Sequence, residues 1–447
     1  MAKTATVTKN NGSAAYSGPS AAETLKWREK TCFPMMSYYK EPMLIARGAM
    51  QYVWDDKGRK YLDAFAGVVT VSVGHCHPLV VERAQKQMEK LWHSTTLYLY
   101  PELPKAAERL LKAVKPANPA LDAVFFTNSG TEATELATLL CKAYTGRSEF
   151  IGLRHSFHGR TMMSMTLTGQ STWRHSTPYL PGVTLAPSNY TYRRPEGSTP
   201  KMFAEWCADE VKNIVDHCTP GKIAGFIGEP IAGNGGCIVP EPEYFPRVYK
   251  HVKDAGGLYI TDEVQCGVGR TGNDFLGIQK WGVRPDIVDM AKGLGNGYPL
   301  GAVATTREIA DSLKGRLHFN TFGGNPVACT VGEAVLDVLE SEKLPQNAKT
   351  VGDYLIAKLK KVSAKDERIG EVRGMGLMLG VELVKDAKSK AVDAALAGEV
   401  MEKMKAEGVL IGKGGQAGNI LRIKPPLCIN KENADQLVDA FEKALKR

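Results

Sequence analysis

A single lysine, Lys292, stands between an apolar run and a cluster of glycines in DIVDMAKGLGNGYPLGAV, Asp286 to Val303. An amine at the end of a buried strand is costly unless it is neutralised, paired or chemically used. Thirty positions earlier, YITDEVQCGVGRTG ends another apolar run with Asp262. A carboxylate there needs a cationic partner, either a structural arginine or the protonated ring nitrogen of a bound heteroaromatic group. In FFTNSGTEATE, Asn128, Ser129, Gly130 and Thr131 fall between a strand and a helix. Open amides and hydroxyls at a helix start form an anion cradle, and glycine lets the ligand approach the backbone. The same residues also read as an ordinary helix cap, with Ser129 as N-cap and Glu132 behind it. No GxxxxGK(S/T) stretch occurs, so a nucleoside triphosphate is not the natural occupant. A strand-end lysine for an aldehyde, a strand-end aspartate for a ring nitrogen and a phosphate cradle together describe pyridoxal 5'-phosphate.

These residues need a rigid frame. Short apolar runs alternate with helical patterns through the middle of the chain: AVFFT, EFIGL, IAGFIGEPI, GLYITDEV, DIVDMA and LGAVATT, with TEATELATLLCKAYTG and EYFPRVYKHVKDAG among the intervening helices. Runs with little polar alternation suit strands covered on both faces, so the predicted class is α/β with a mainly parallel sheet. Ligands then gather at the carboxyl ends of the strands. VWDDKGRKYLDAFAG reads as a hairpin turning at DDKG, and RGMGLMLGVELV, a helix around Leu396 to Glu407 and ILRIKPPLCI close the chain. The two ends, residues 1–74 and 331–447, are assigned to a smaller α+β domain, and residues 75–330 to a large cofactor-binding domain. Residues 1–20, polar and small, read as a flexible arm.

With 447 residues and 43% hydrophobic content, the chain can build a large globular core. The net charge of +9, from 57 basic and 48 acidic residues, is spread without long single-sign blocks, so no nucleic-acid footprint is expected. No run approaches the roughly 18 apolar residues of a membrane span. Nine cysteines without a CxxC pair read as reduced thiols, and a cytoplasmic location is expected ahead of a mitochondrial one. GHCHP, Gly74 to Pro78, clusters His75, Cys76 and His77, but no second cluster completes a metal site; a loop that starts a helix at the proline is expected instead.

FFTNSGTEA, SFHGRT, GEPIAGNGG, ITDEVQCGVGRTG, DIVDMAKGLGNGYPLGAV and FNTFGGNP, in order and over nearly the whole chain, resemble the signature blocks of the class III pyridoxal-phosphate aminotransferases. LWHSTT, HFNTFGGNP and the spacing around LCIN are most similar to the mitochondrial-type alanine-glyoxylate branch and related omega-aminotransferases. The resemblance implies aminotransferase fold type I: a large domain with a mainly parallel sheet plus a smaller α+β domain. It also implies a homodimer, or a dimer of dimers, with shared active sites. The implied reaction moves an amino group from an amino acid or amine to pyruvate or glyoxylate through a Schiff base of the cofactor. A 4-aminobutyrate or ornithine-type aminotransferase and a decarboxylating one are the alternatives.

Carried over residue by residue, the resemblance makes Lys292 the Schiff-base lysine and general base, and Asp262 the partner of the pyridine nitrogen. Gln265 would reach the ring hydroxyl, with Val264 on one ring face and Phe157 on the other. His158 is expected among the cofactor-binding residues, as is Glu229, paired with Arg160. Ser129, Gly130 and Thr131 would hold the phosphate, and Thr321 that of a neighbouring subunit. Arg422 in ILRIKPPLCI would bind the substrate carboxylate through two parallel hydrogen bonds. Where ornithine and 4-aminobutyrate relatives carry a glutamate that masks this arginine, the chain has Asn234, so a permanently available guanidinium is expected. Pocket walls are expected near Phe65, Val68 and Tyr98.

Overall fold

The computed structural model describes residues 16–446. Most of the expected N-terminal arm lies outside the described residues. From Ser20 the chain is ordered by a capping box: the Ser20 hydroxyl accepts from Glu23 N while the Glu23 carboxylate accepts from Ser20 N, opening the helix Ala21–Thr31.

A seven-stranded sheet forms the centre, in the spatial order Ala123–Thr127, Gly301–Thr305, Ile287–Met290, Leu258–Asp262, Gly225–Gly228, Phe150–Leu153 and Val183–Ala186. The last five strands are parallel. Gly301–Thr305 runs antiparallel to both its neighbours, so Ala123–Thr127 returns to the direction of the parallel set. The expected mainly parallel sheet is present, and all six apolar runs lie in it. The edge strand Val183–Ala186 was not expected, because GVTLA is short, follows a proline and is only half-buried over most of its length.

Full burial of the central strands explains their unbroken apolar sequences: every residue of Leu258–Asp262, Ile287–Met290 and Gly301–Thr305 is buried. Each aliphatic side chain buried there contributes about 1.5–3 kcal/mol. Asp262 and Asp289 are therefore exceptions in an apolar layer, and they sit side by side in register.

Two smaller four-stranded sheets flank this body. In one, Ile45–Ala49, Tyr52–Asp55 and Lys60–Asp63 form a meander, joined in parallel by Val409–Leu410 from the other end of the chain. The hairpin turns at DDKG as expected: Asp55 Oδ1 accepts from the Lys57 and Arg59 amides, and Gly58 takes the left-handed φ of 76° that the turn requires. The other sheet pairs Ile369–Met375, Met378–Leu383, Ile420–Ile423 and Gly412–Gly414, all antiparallel. It brings Arg422 and Lys424 toward the central body from more than a hundred positions away.

Candidate active site

The carboxyl ends of the Ala123–Thr127, Leu258–Asp262 and Ile287–Met290 strands share one edge of the central sheet, and the predicted site residues collect there. Lys292 follows the Ile287–Met290 strand in a tight helical turn, Lys292–Leu294, with φ 42°. A left-handed backbone is unusual for a side chain with a Cβ and marks a position held by its surroundings. The lysine is partly buried, and its amine makes no hydrogen bond or ion pair among the described residues. Burial pushes its pKa down, against the pull of the Asp262 and Glu229 charges. The downward shift favours the neutral amine, the form that a nucleophile and proton carrier needs.

Asp262 is almost wholly buried. Its Oδ1 accepts from Val264 N at 3.0 Å, and its Oδ2 lies 2.6 Å from Nδ1 of the buried His158. The imidazole fixes the carboxylate's orientation, while His158 Nε2 has no partner among the described residues. Beside it, Asp289 takes a 2.8 Å hydrogen bond from Thr134 on Oδ2 and leaves Oδ1 unpartnered. Burial and the neighbouring Asp262 charge raise its pKa well above the carboxylate range. Both influences disfavour a second negative charge beside Asp262. The residue types alone gave no sign of it, since Asp289 lies inside an apolar run.

The predicted phosphate cradle is the N-terminus of the sixteen-residue helix Gly130–Thr145. Ser129 is its N-cap, accepting from Glu132 N at 3.3 Å, so the bland reading of this motif also holds. Glu132 does not close the box; it accepts from Asn128 N and from the Asn128 and Asn320 amides. The Gly130 and Thr131 amides, in the first turn, remain open donors at the positive end of the helix. The Thr131 hydroxyl instead accepts from the Arg160 and Thr161 amides, fastening the SFHGRT loop to the helix start. A Cβ on Gly130 would stand 2.9 Å from a Val264 methyl carbon, which explains the glycine.

Phe157 meets Trp173 edge-on at 4.9 Å. Glu229 is buried, and the expected pair with Arg160 does not form: Arg160 is exposed, while Glu229 accepts from Phe157 N at 2.9 Å and Gly233 N at 2.8 Å. Two backbone donors satisfy the carboxylate, so a surface arginine has nothing to add. Thr321 is exposed, in a segment with Leu317, Phe319 and Phe322.

Arg422 also departs from expectation. It is buried and held by three neutral acceptors: Asn234 Oδ1 at 3.0 Å, the Tyr38 hydroxyl at 2.9 Å and the Lys413 carbonyl at 2.9 Å. It is engaged rather than free, and Phe65 lies beneath it at 5.2 Å. None of these partners carries charge, and no carboxylate pairs with the guanidinium among the described residues. Of the predicted walls, Phe65 packs here against Tyr38, whereas Val68 and Tyr98 are exposed. The residue the sequence reading passed over is Lys424, fully buried, which donates to Gln265 Oε1 at 2.9 Å and to the Gly233 carbonyl at 3.0 Å. His75 and His77 each face a carboxylate, Asp63 and Glu342, at 2.8 and 2.9 Å, and a helix starts at Pro78.

An unpaired amine, a braced carboxylate with an unpartnered imidazole nitrogen behind it, and open amides at a helix start fit an aldehyde-bearing cationic ring with a phosphate. Comparison with known proteins agrees. The family described as Aminotransferase class-III matches residues 35–445. The mitochondrial alanine-glyoxylate aminotransferase 2 homolog 2 of Arabidopsis thaliana is 48% identical over 433 residues, 97% of this chain and 89% of its own. The human mitochondrial alanine-glyoxylate aminotransferase 2 is 39% identical over 431 residues, 92% of this chain and 83% of its own. Among solved structures, an amine transaminase from an uncultivated Pseudomonas species, in its PLP-bound form, superposes with a TM-score of 0.87 at 32% identity, covering 93% of this chain and 98% of that one.

Proposed function

The chain belongs to the class III aminotransferases, a pyridoxal-phosphate-dependent family, and from that premise we propose how its own residues carry the reaction. The protein moves an amino group from an amino acid or amine to a small 2-oxo acid. We assign glyoxylate and pyruvate as acceptors on the strength of the alanine-glyoxylate relatives and of Arg422, whose uncompensated charge suits one carboxylate beside a carbonyl.

Pyridoxal phosphate, when bound, supplies a carbon that condenses with amines and a ring that takes up an electron pair. The Gly130 and Thr131 amides, with the Ser129 cap, hold its phosphate. Asp262, oriented by His158, keeps a proton on the ring nitrogen. Val264 and Phe157 would flank the ring and Gln265 would meet its hydroxyl, while Glu229 fixes the two loops that carry Phe157 and Asn234. Lys292 would be the residue that holds the cofactor's aldehyde carbon, and its amine, with a pKa lowered by burial, would carry a proton at the substrate carbon. Arg422 holds the substrate carboxylate. The carrying observation is the unpaired Lys292 amine beside the Asp262–His158 pair.

Neutral Asn234 on Arg422, in place of a masking glutamate, favours this reading over ornithine or 4-aminobutyrate chemistry. A panel of alanine, ornithine, 4-aminobutyrate and simple amines against glyoxylate, pyruvate and 2-oxoglutarate tests it. Fastest transfer from alanine to glyoxylate supports the reading, and fastest transfer to 2-oxoglutarate overturns it. We further propose a homodimer in which Thr321 completes the partner's phosphate site, and a cytoplasmic location. Fractionation of producing cells tests the second against the mitochondrial location in the relatives' names. No helix among the described residues is long and apolar enough to cross a membrane.

A further inference from the structure

Lys424 is one of the largest fully buried side chains of the protein, and no carboxylate lies within ion-pairing distance of it among the described residues. Glu229, the acid nearest in effect, already has both oxygens occupied by the Phe157 and Gly233 amides. An unpaired cation in such a place is expensive, and burial lowers its pKa to about 8. What the ammonium touches is the amide oxygen of Gln265 and the carbonyl of Gly233. A glutamine amide can be turned over with almost no change of shape, so packing alone does not decide which end faces a ligand. An ammonium only donates, so it decides.

We propose that Lys424 is a positioning residue for the reaction: it holds the Gln265 amide with its oxygen inward, so that Gln265 presents its NH2 and donates to the ring hydroxyl of the cofactor. Gly233 adds to the restraint, since even a Cβ there would stand 2.4 Å from Gln265 Oε1. The same ammonium ties Gln265 to the Gly233–Asn234 segment, whose next side chain holds Arg422. One buried cation thereby links the cofactor side of the site to the substrate side. The inference rests on the reading that Gln265 meets the ring.

The test is a double-mutant cycle on cofactor affinity, with pyridoxal phosphate titrated into apoprotein and followed by fluorescence quenching. Lys424→Met and Gln265→Ala are each expected to weaken binding by about tenfold, the size of one charge-assisted hydrogen bond. The double variant is expected to bind within about twofold of Gln265→Ala, because Lys424 acts through that amide. Losses that multiply, or normal binding by Lys424→Met, overturn the role of Lys424 and leave that of Gln265 standing. Unchanged binding by Gln265→Ala overturns the Gln265 reading and this one with it. If Lys424→Met does not fold, Gln265→Glu serves: an ion pair with Lys424 keeps the core intact but removes the donor. Weaker binding and a displaced visible absorption maximum support the proposal, and an unchanged spectrum and affinity contradict it.

Discussion

At single residues, charge compensation in a buried site governs the proposed chemistry. Asp262 has one oxygen on Val264 N and the other on His158, an arrangement that keeps it oriented before any ligand arrives. Asp262→Asn is expected to retain cofactor but to lose roughly a thousandfold or more in turnover, since an amide cannot sustain the ring cation; removing one member of a buried charge pair costs about 3–5 kcal/mol. Single-turnover rates with alanine measure this, and unchanged rates would remove Asp262 from the mechanism. Arg422 makes the complementary case. Lysine lacks the two-pronged fork and cannot reach Asn234, Tyr38 and a substrate carboxylate together. Arg422→Lys should weaken pyruvate and glyoxylate by about 1.5–3 kcal/mol while leaving a carboxylate-free amine donor nearly unaffected. Asn234→Glu should impair both acceptors by supplying the missing counter-ion. Half-reaction constants for pyruvate and for the amine in the same ratio as in the parent would place carboxylate binding elsewhere.

At the scale of elements, strand ends and one helix start do the positioning. Gly130→Ala tests the helix: its Cβ would press on Val264 at 2.9 and 3.1 Å, so the open amides must move. Cofactor affinity should fall about tenfold, with unfolding free energy changed by less than about 1 kcal/mol because alanine suits a helix. Normal affinity would put the phosphate elsewhere. The elements were largely legible in the sequence, because short apolar runs such as IAGFIGEPI, which holds the strand Gly225–Gly228, suit strands covered on both faces, and glycine clusters mark where ligands approach. What was illegible depends on distant chain. Arg422 looked free because its partner Tyr38 lies 384 positions away. Glu229 was given Arg160 because backbone donors leave no trace in residue types. Lys424 comes directly after the strand Ile420–Ile423 that carries Arg422, and nothing nearby in the sequence reveals that it is buried. Ala66 to Val69, with φ values of 52 to 68°, form a left-handed turn that no propensity of valine suggests.

At the scale of the whole molecule, the exposed surface is unfinished around one feature. Trp92, Leu97, Tyr98 and Leu99 are exposed together with Leu317, Phe319 and Phe322, and the two segments meet where His93 lies 5.6 Å from Phe322. Such a patch calls for a cover, and the dimer proposed above would supply one. The double variant Leu99→Glu, Leu317→Glu should give monomers by light scattering, with cofactor affinity reduced because Thr321 would no longer reach the partner's site. Dimers of unchanged affinity would contradict the shared site. In the proposed reaction, the strand ends of the central sheet place one amine, Lys292, against a bound aldehyde. This placement is tested most directly by treating the cofactor-loaded protein with borohydride, which fixes the cofactor to whichever lysine holds it, and mapping the modified peptide by mass spectrometry. The pyridoxyl group is expected on Lys292 alone; finding it on the fully buried Lys424, or on no lysine, would refute the role of Lys292.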